Sequence, residues 1–404
     1  MSTRAQQATN RLKKSVHELW RDGNGWILVS ISLGWFLSIG VRLVYPAIAP
    51  FFRTEFELTL GTTGFLLTVL WGAYAIGHIP GGVVGDRFGE GRILVISSIL
   101  AAATVLAVAT AVNVWMLFAA TITFGLATAL FGPMRFTVFT DIYEHRAGSA
   151  VGITMAAGSA GNVVLPIVAT AIATYLTWRY SFLLFAPFFL LVAIALWRTV
   201  PARTSTGARA VEELSSRTIA RIWEGISHGV IPTVVLIQIC FSFMFQGFTG
   251  FYPTYLIDVK GVSPTSAATL FGLFFAMSFL IQPLAGAMMD RIGSRPTLIG
   301  ILGVSAIGLW LLPFVDGLFL LVAVTVVLSI LSGCAVVTQT YIADELPADM
   351  KGTGLGTVKA GWMLIGATSP LIIGALGDSG YFAESFLLLA AVGTIGLVIT
   401  VTRL

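Results

Sequence analysis

Long apolar runs, each closed by charged or turn-forming residues, alternate along the chain with short polar breaks. They predict helices over 25–51, 61–84, 92–111, 114–140, 149–175, 180–199, 230–257, 265–289, 297–314, 317–342, 354–376 and 382–402. Most are close to the roughly 20 residues a helix needs to cross a bilayer core. The pattern therefore predicts an all-α integral membrane protein with twelve transmembrane helices. An even number of crossings puts both termini on one face. The longest polar break, 200–229, falls mid-chain and divides two six-helix bundles, 25–199 and 230–404. Inside it Ile219, Ile222, Trp223 and Ile226 repeat at helical spacing, which predicts a helix lying on the membrane surface and joining the halves. In the polar N-terminal segment 1–24, Leu12, Val16, Leu19 and Trp20 predict a similar one. The first apolar run is too long and starts too late for a cleaved signal.

Composition narrows the class. The chain has 404 residues, 56% hydrophobic and 10% charged. A typical soluble domain is about a quarter charged, so an ordinary cytosolic enzyme is excluded. The placement of the basic residues says more than the net charge of +4. Of the 23 Lys and Arg, 18 fall on the face of the termini and three, Arg53, Arg179 and Lys260, on the other, with Arg42 and Arg135 inside spans. Cationic loops stay in the cytoplasm, so both termini are expected to be cytoplasmic, in a multi-pass protein of the plasma membrane.

The chain also repeats itself. Shifted by 204 residues, Gly82 to Gly89 (GVVGDRFG) meets Gly286 to Gly293 (GAMMDRIG), Gly148 and Gly152 meet Gly352 and Gly356, Pro166 meets Pro370, and Ser181-Phe-Leu-Leu meets Ser385-Phe-Leu-Leu. Two halves of six spans share one orientation, related by a pseudo-two-fold axis along the membrane normal. Parallel repeats of this kind place a substrate site at their interface near mid-membrane.

Those residues carry a resemblance. Gly82-x3-Asp86-Arg87-x-Gly89-x2-Arg92 resembles the signature loop of the major facilitator superfamily, and Gly286-x3-Asp290-Arg291-x-Gly293-x-Arg295 resembles its second copy. Trp178-Arg179 and Arg146-x-Gly148-x3-Gly152 resemble the family as well; Glu90 stands where the family commonly has a basic residue. The resemblance implies a secondary transporter that rocks two bundles about a central cavity lined by spans one, four, seven and ten. Around the loop, Gly81, Gly82 and Gly85 allow close helix packing, and a carboxylate such as Asp86 is stabilised at a helix start. The resemblance implies the start of span eleven as its partner. Arg92 with Asp141, and Arg295 with Asp290 and Glu345, would extend a cytoplasmic gate. The competing role is a turn that caps two helices and sets topology.

Inside the membrane, none of the 19 acidic residues falls mid-span, whereas Arg42 and Arg135 do. A charge there costs at least about 2.5–3.5 kcal/mol and faces a cavity or a partner. With no carboxylate to hand, a bound anion is a natural counter-charge, and guanidinium suits carboxylate and phosphate through paired hydrogen bonds. The repeat places amides opposite: Arg42 meets Gln246, Arg135 meets Gln339 and His78 meets Gln282. The expected substrate is a small organic anion, a carboxylate or phosphate ester. Arg42 is its main ligand, Tyr45, Gln246, Tyr252 and Gln339 supply neutral donors, and Arg135 is a second ligand or part of the inner gate. The alternatives are an ion pair of Arg42 with Asp258 or a carbonyl-capped structural role, and Arg135 snorkelling beside Asp141 or Glu144. His78 is either a proton-coupling group or a hydrogen-bonded packing residue. Lys359 either greets an anion from the cytoplasm or snorkels.

Pro46, Pro50, Pro166, Pro253 and Pro370 are expected to interrupt spans one, five, seven and eleven. Span five, Gly158-x2-Gly161-x4-Pro166, lacks the denser glycine-proline pattern of many drug/proton antiporters. An efflux carrier of multidrug type for hydrophobic compounds is the runner-up, and a non-transporting receptor or a channel lies outside the class. Cys240 and Cys334 fall in apolar runs, and His17, His78, His145 and His228 are dispersed, so no metal site is readable. Gly352-Thr-Gly-Leu-Gly356 lacks the lysine of a phosphate loop. The sequence thus points to no cofactor and no nucleic-acid partner. The expected partners are a small solute and the bilayer, with the chain working as a monomer.

Overall fold

The computed structural model describes Trp20 and residues 24–143, 146–204, 229–345 and 353–404. The two expected surface helices lie outside the described residues, apart from Trp20 at the end of the first. Among the described residues there is no strand, and twelve helical stretches are long and apolar enough to cross a membrane. They are Asn24–Phe56, Leu60–His78 (within the helix Leu60–Phe88), Glu90–Ala109, Val114–Ile142, Ala147–Tyr175, Trp178–Thr199, Ile231–Asp258, Pro264–Ile292, Ser294–Phe314, Leu318–Ile342, Val358–Asp378 and Phe382–Arg403, numbered here as spans one to twelve. Both chain ends then lie on one face, the terminal face; the opposite one is the far face.

Helices satisfy every backbone group internally, which lipid demands. Some hydroxyls buried in them bond back to their own turn, as Ser98 does to the Leu94 carbonyl at 2.9 Å and Thr128 to that of Phe124 at 2.9 Å. Most of the expected prolines do not interrupt their helices. Pro46, Pro50, Pro166 and Pro253 all sit inside continuous helices, and only Pro370 adjoins a break, at Thr368. Span four is broken at Leu130, where Pro133 cannot donate to the Ala129 carbonyl, and span ten passes through a 3₁₀ turn at Ile330–Ser332. The two breaks are near-equivalent positions of the repeat.

One packing core gathers residues of the first six spans, including Phe124, Phe139, Phe182 and Phe189. A second gathers residues of spans seven to twelve, together with Leu43 and Ala47 from span one. The cores meet through span two against span eleven, span five against span eight, and span one against span seven. Exchanging the repeats turns the first of these pairs into the second, as a two-fold axis requires. Side-chain detail at these seams lies toward the far face. A Cβ on Gly64 would stand 2.2 Å from the Pro370 carbonyl oxygen, one on Gly374 2.2 Å from that of Leu60, and one on Gly272 2.6 Å from Ile167.

Within the first bundle, spans one and five make an equally close approach. A Cβ on Gly161 would lie 2.3 Å from the Phe36 carbonyl oxygen, and one on Gly40 2.7 Å from that of Gly161. Gly161→Leu should therefore destabilise the protein by about 1–3 kcal/mol, read as a lower apparent unfolding midpoint in detergent. Gly148→Leu, where a Cβ meets open space, should leave the midpoint unchanged.

Candidate functional site

Arg42 lies in the middle of span one and exposes nothing to solvent. Its guanidinium carbon is 3.5 Å from the centre of the Tyr74 ring, 5.5 Å from Trp71 and 5.8 Å from Trp35. None of its three side-chain nitrogens has a hydrogen-bond partner in the structure. The expected alternative, Asp258, pairs with Arg53 at the far ends of spans seven and one. Arg135, 4% exposed, stacks on the same indole, its guanidinium carbon 3.4 Å from the centre of Trp35 and 4.4 Å from that of Phe136. Its Nε donates to the Gly132 carbonyl at 3.3 Å and Nη2 to the Met155 sulfur at 3.4 Å, while Nη1 has no partner. It forms no ion pair with Asp141 among the described residues.

The local sequence explains this shape. Trp71, Tyr74 and His78 fall on one face of the span-two helix at helical spacing. Trp35 lies two turns before Arg42 on span one, and Gly158 of span five makes room for it, since a Cβ there would be 2.4 Å from the indole nitrogen. His78 Nδ1 donates to the Tyr74 carbonyl at 2.8 Å, its ring meets Tyr74 edge-on at 4.4 Å, and Nε2 would be 2.9 Å from a Cβ on Gly132. Lys359, near the start of span eleven, is exposed.

On the other side, Gln246 is buried; its Nε2 donates to the Met363 carbonyl at 3.2 Å, and its Oε1 has no partner. Gln339 is half-buried in the helix Gly333–Glu345. Tyr45 and Tyr252 do not join the group, which corrects their expected roles. Tyr45 stacks on Phe124 and meets Phe182 edge-on in the core of its own bundle. The Tyr252 hydroxyl is 2.5 Å from that of Thr325, its ring stacked on Phe248. The aromatic neighbours of the arginines are Trp35, Trp71, Tyr74 and Phe136, which sequence reasoning missed.

The three far-face cations are all matched by carboxylates: Arg53 by Asp258, Arg179 by Glu55 and Lys260 by Asp316 at 3.0 Å. Trp178 Nε1 also donates to Glu55 at 2.5 Å. A cleft of about 590 Å³ on this face, lined by the Arg53–Asp258 pair and Glu57 among others, contains none of the arginine cluster. Arg42, Arg135 and Lys359 have no such partner among the described residues.

At the signature loop, Gly82, Asp86 and Glu345 lie in helices, but their side chains fall outside the described residues, so the contact expected of Asp86 at span eleven does too. The expected pairing of Arg92 with Asp141 is not seen. Arg92 is exposed and without an ion pair among the described residues, and the chain leaving span six takes the place beside Asp141. Thr204 donates its N–H to Glu90 and its hydroxyl to Asp141, both at 3.0 Å, and Arg203 donates to the Arg87 carbonyl at 3.0 Å. Gly89, at φ 94°, and Gly91 leave room for the Ala202 and Pro201 carbonyls. In the second copy, Asp290 and Arg291 are exposed, and Arg295 donates to the Val401 carbonyl at 2.7 Å, not to Asp290.

Two like bundles and unmatched cations between twelve membrane-crossing helices define a membrane carrier. The family model of the Major Facilitator Superfamily matches residues 31–278 and 234–404, and the chain belongs to that family, one of transporters and not of enzymes. It is 22% identical to the "Probable sulfoacetate transporter SauU" of Cupriavidus necator, over 87% of this chain and 86% of that protein. It is 26% identical to the cis,cis-muconate transport protein of Acinetobacter baylyi, over 84% of each. Its fold matches that of a bacterial homolog of the human lysosomal transporter Spinster, in an inward-facing and occupied conformation, with a TM-score of 0.77, 15% identity and coverage of 94% and 96%.

Removing the carboxylate that receives Thr204 tests the contact at the loop. Glu90→Ala should make trypsin cut after Arg203 several-fold faster than in the unaltered protein, with the fragment identified by mass spectrometry.

Proposed function

We propose that this transporter carries a small organic anion, a carboxylate or phosphate ester, across the plasma membrane by alternating access, as a monomer with both termini in the cytoplasm. The observation that carries the reading is the buried guanidinium of Arg42, which has three nitrogens without acceptors and no carboxylate beside it. A cation–π contact contributes about 0.5–2 kcal/mol, while burying an ion costs several. The rings reduce that cost without satisfying the donors, and an anion would satisfy both. Trp71 and Tyr74 cover Arg42 in this state, so they part as the substrate reaches it. Arg135 is the second ligand, with Gln246 and Gln339 completing the wall from the other bundle. The two relatives named above, whose names are those of organic-anion transporters, support the substrate class. The closed far-face seams support a state open to the terminal face, and the 18-to-3 distribution of basic residues makes that face cytoplasmic.

Arg42→Gln removes the charge and keeps most of the bulk. Losing one partner of a buried charged contact costs at least about 2 kcal/mol, roughly 30-fold in affinity. A thermal-shift screen of purified protein should show stabilisation by carboxylates or phosphate esters that disappears in this variant. Stabilisation by cationic dyes alone would reject the reading.

A further inference from the structure

The anion reading requires one acidic group on Arg42, but the unmatched charge exceeds one. A single carboxylate fills the fork of Arg42 and leaves Arg135 and Lys359 without counter-charge. Trp35 stacks on Arg135 and lies near Arg42, which brings both guanidinium groups within reach of one small molecule. Lys359 approaches from the opposite bundle. The start of span eleven packs on the span-two helix that carries Trp71, Tyr74 and His78, and Gln246 is bonded to the backbone of Met363, one turn beyond Lys359. Resting on the anion reading, we infer that the substrate is a dianion with two acidic groups on a short carbon frame, the second held by Arg135 and Lys359. Such a guest turns repulsion between bundles into attraction across the cavity, because opposite charges at close range in a poorly hydrated site interact strongly.

The test compares succinate with butyrate and glutarate with pentanoate, at pH 7.5 and constant ionic strength, by titrating the thermal stabilisation of the full-length protein. Each diacid should bind at least about tenfold tighter than its monoacid, the factor that one added charge-assisted contact gives. Lys359→Gln and Arg135→Gln should each bring that ratio toward one, and Lys359→Arg should restore it. Equal affinities, or a ratio that survives both variants, would overturn the dianion. Monoacid binding abolished by Arg42→Gln would still leave the anion reading standing. No stabilisation by any of the four acids would overturn both.

A second observation stands apart from the first. At the far face, Asp378 ends the last helix of span eleven and reaches the start of span two, where its Oδ2 accepts from the Thr59 hydroxyl at 2.7 Å and from the Gly61 N–H at 3.0 Å. A helix start carries about half a positive charge, so the carboxylate is doubly favoured there. On the same face, Arg53 and Asp258 pair across spans one and seven. The geometry points to Asp378 as a far-face latch that holds the bundles shut in this state and must release for the far side to open.

Spin labels at Val112→Cys and Phe319→Cys, exposed far-face positions in opposite bundles, report the opening. Both native cysteines are buried. Asp378→Ala, and more so with Arg53→Ala, should add a longer-distance population in pulsed electron paramagnetic resonance, and Asp378→Glu should retain the parental distribution. Thr59→Ala, which removes one donor, should give a smaller shift in the same direction. An unchanged distribution in both Asp378→Ala and the double variant would overturn the latch.

Discussion

A guanidinium kept out of water without an acceptor is the constraint around which the middle of this molecule is organised. Burying such a charge costs several kcal/mol, and no carboxylate stands beside Arg42 to offset it. The fold responds with ring faces, presented by Tyr74, Trp71 and Trp35. Rings stabilise the charge but accept no hydrogen bond in the guanidinium plane, so the edge of Arg42 stays chemically open while its face is covered. On the far face the same residue type is handled differently. Arg53 and Arg179 each meet a carboxylate and join elements together. Matched cations serve as fasteners here, and the unmatched ones keep their donors open.

The two halves share positions more closely than chemistry. Where the first carries Arg42 and Arg135, the second carries Gln246 and Gln339. Most of the positive charge thus sits on one bundle, and the other meets it with amides that can donate or accept, plus Lys359 from span eleven. A site divided this way can bind its guest tightly on one side and adaptably on the other. That suits a cavity whose walls must move past each other while the guest stays in place.

The apolar runs of the sequence were enough to show the twelve spans, because lipid demands long uninterrupted helices and leaves little room for exceptions. The helix breaks were only partly readable from proline. Pro46, Pro166 and Pro253 are tolerated inside packed helices, whereas the break at Leu130 has Pro133 just beyond it and the turn at Ile330–Ser332 has no proline. Arg42 and Arg135 stood out because charge is rare in a span. Tyr45 and Tyr252 drew notice as polar aromatics near a pocket, yet neighbouring rings and hydroxyls claim them. The face formed by Trp71, Tyr74 and His78 was present as spacing, but aromatic stripes are common in membrane helices and nothing marked this one out. The docking of Thr204 had no sequence signal at all, since one N–H and one hydroxyl leave no periodic trace.

The break in span four has a mechanical consequence. Leu130 separates two helical segments, and the carbonyl of Gly132, in the first turn beyond that joint, holds Nε of Arg135. A guest that draws this side chain toward itself competes directly with a backbone group at the elbow. Occupancy is thereby felt as torque on the lower limb of the helix, with no relay of intervening side chains to carry the message.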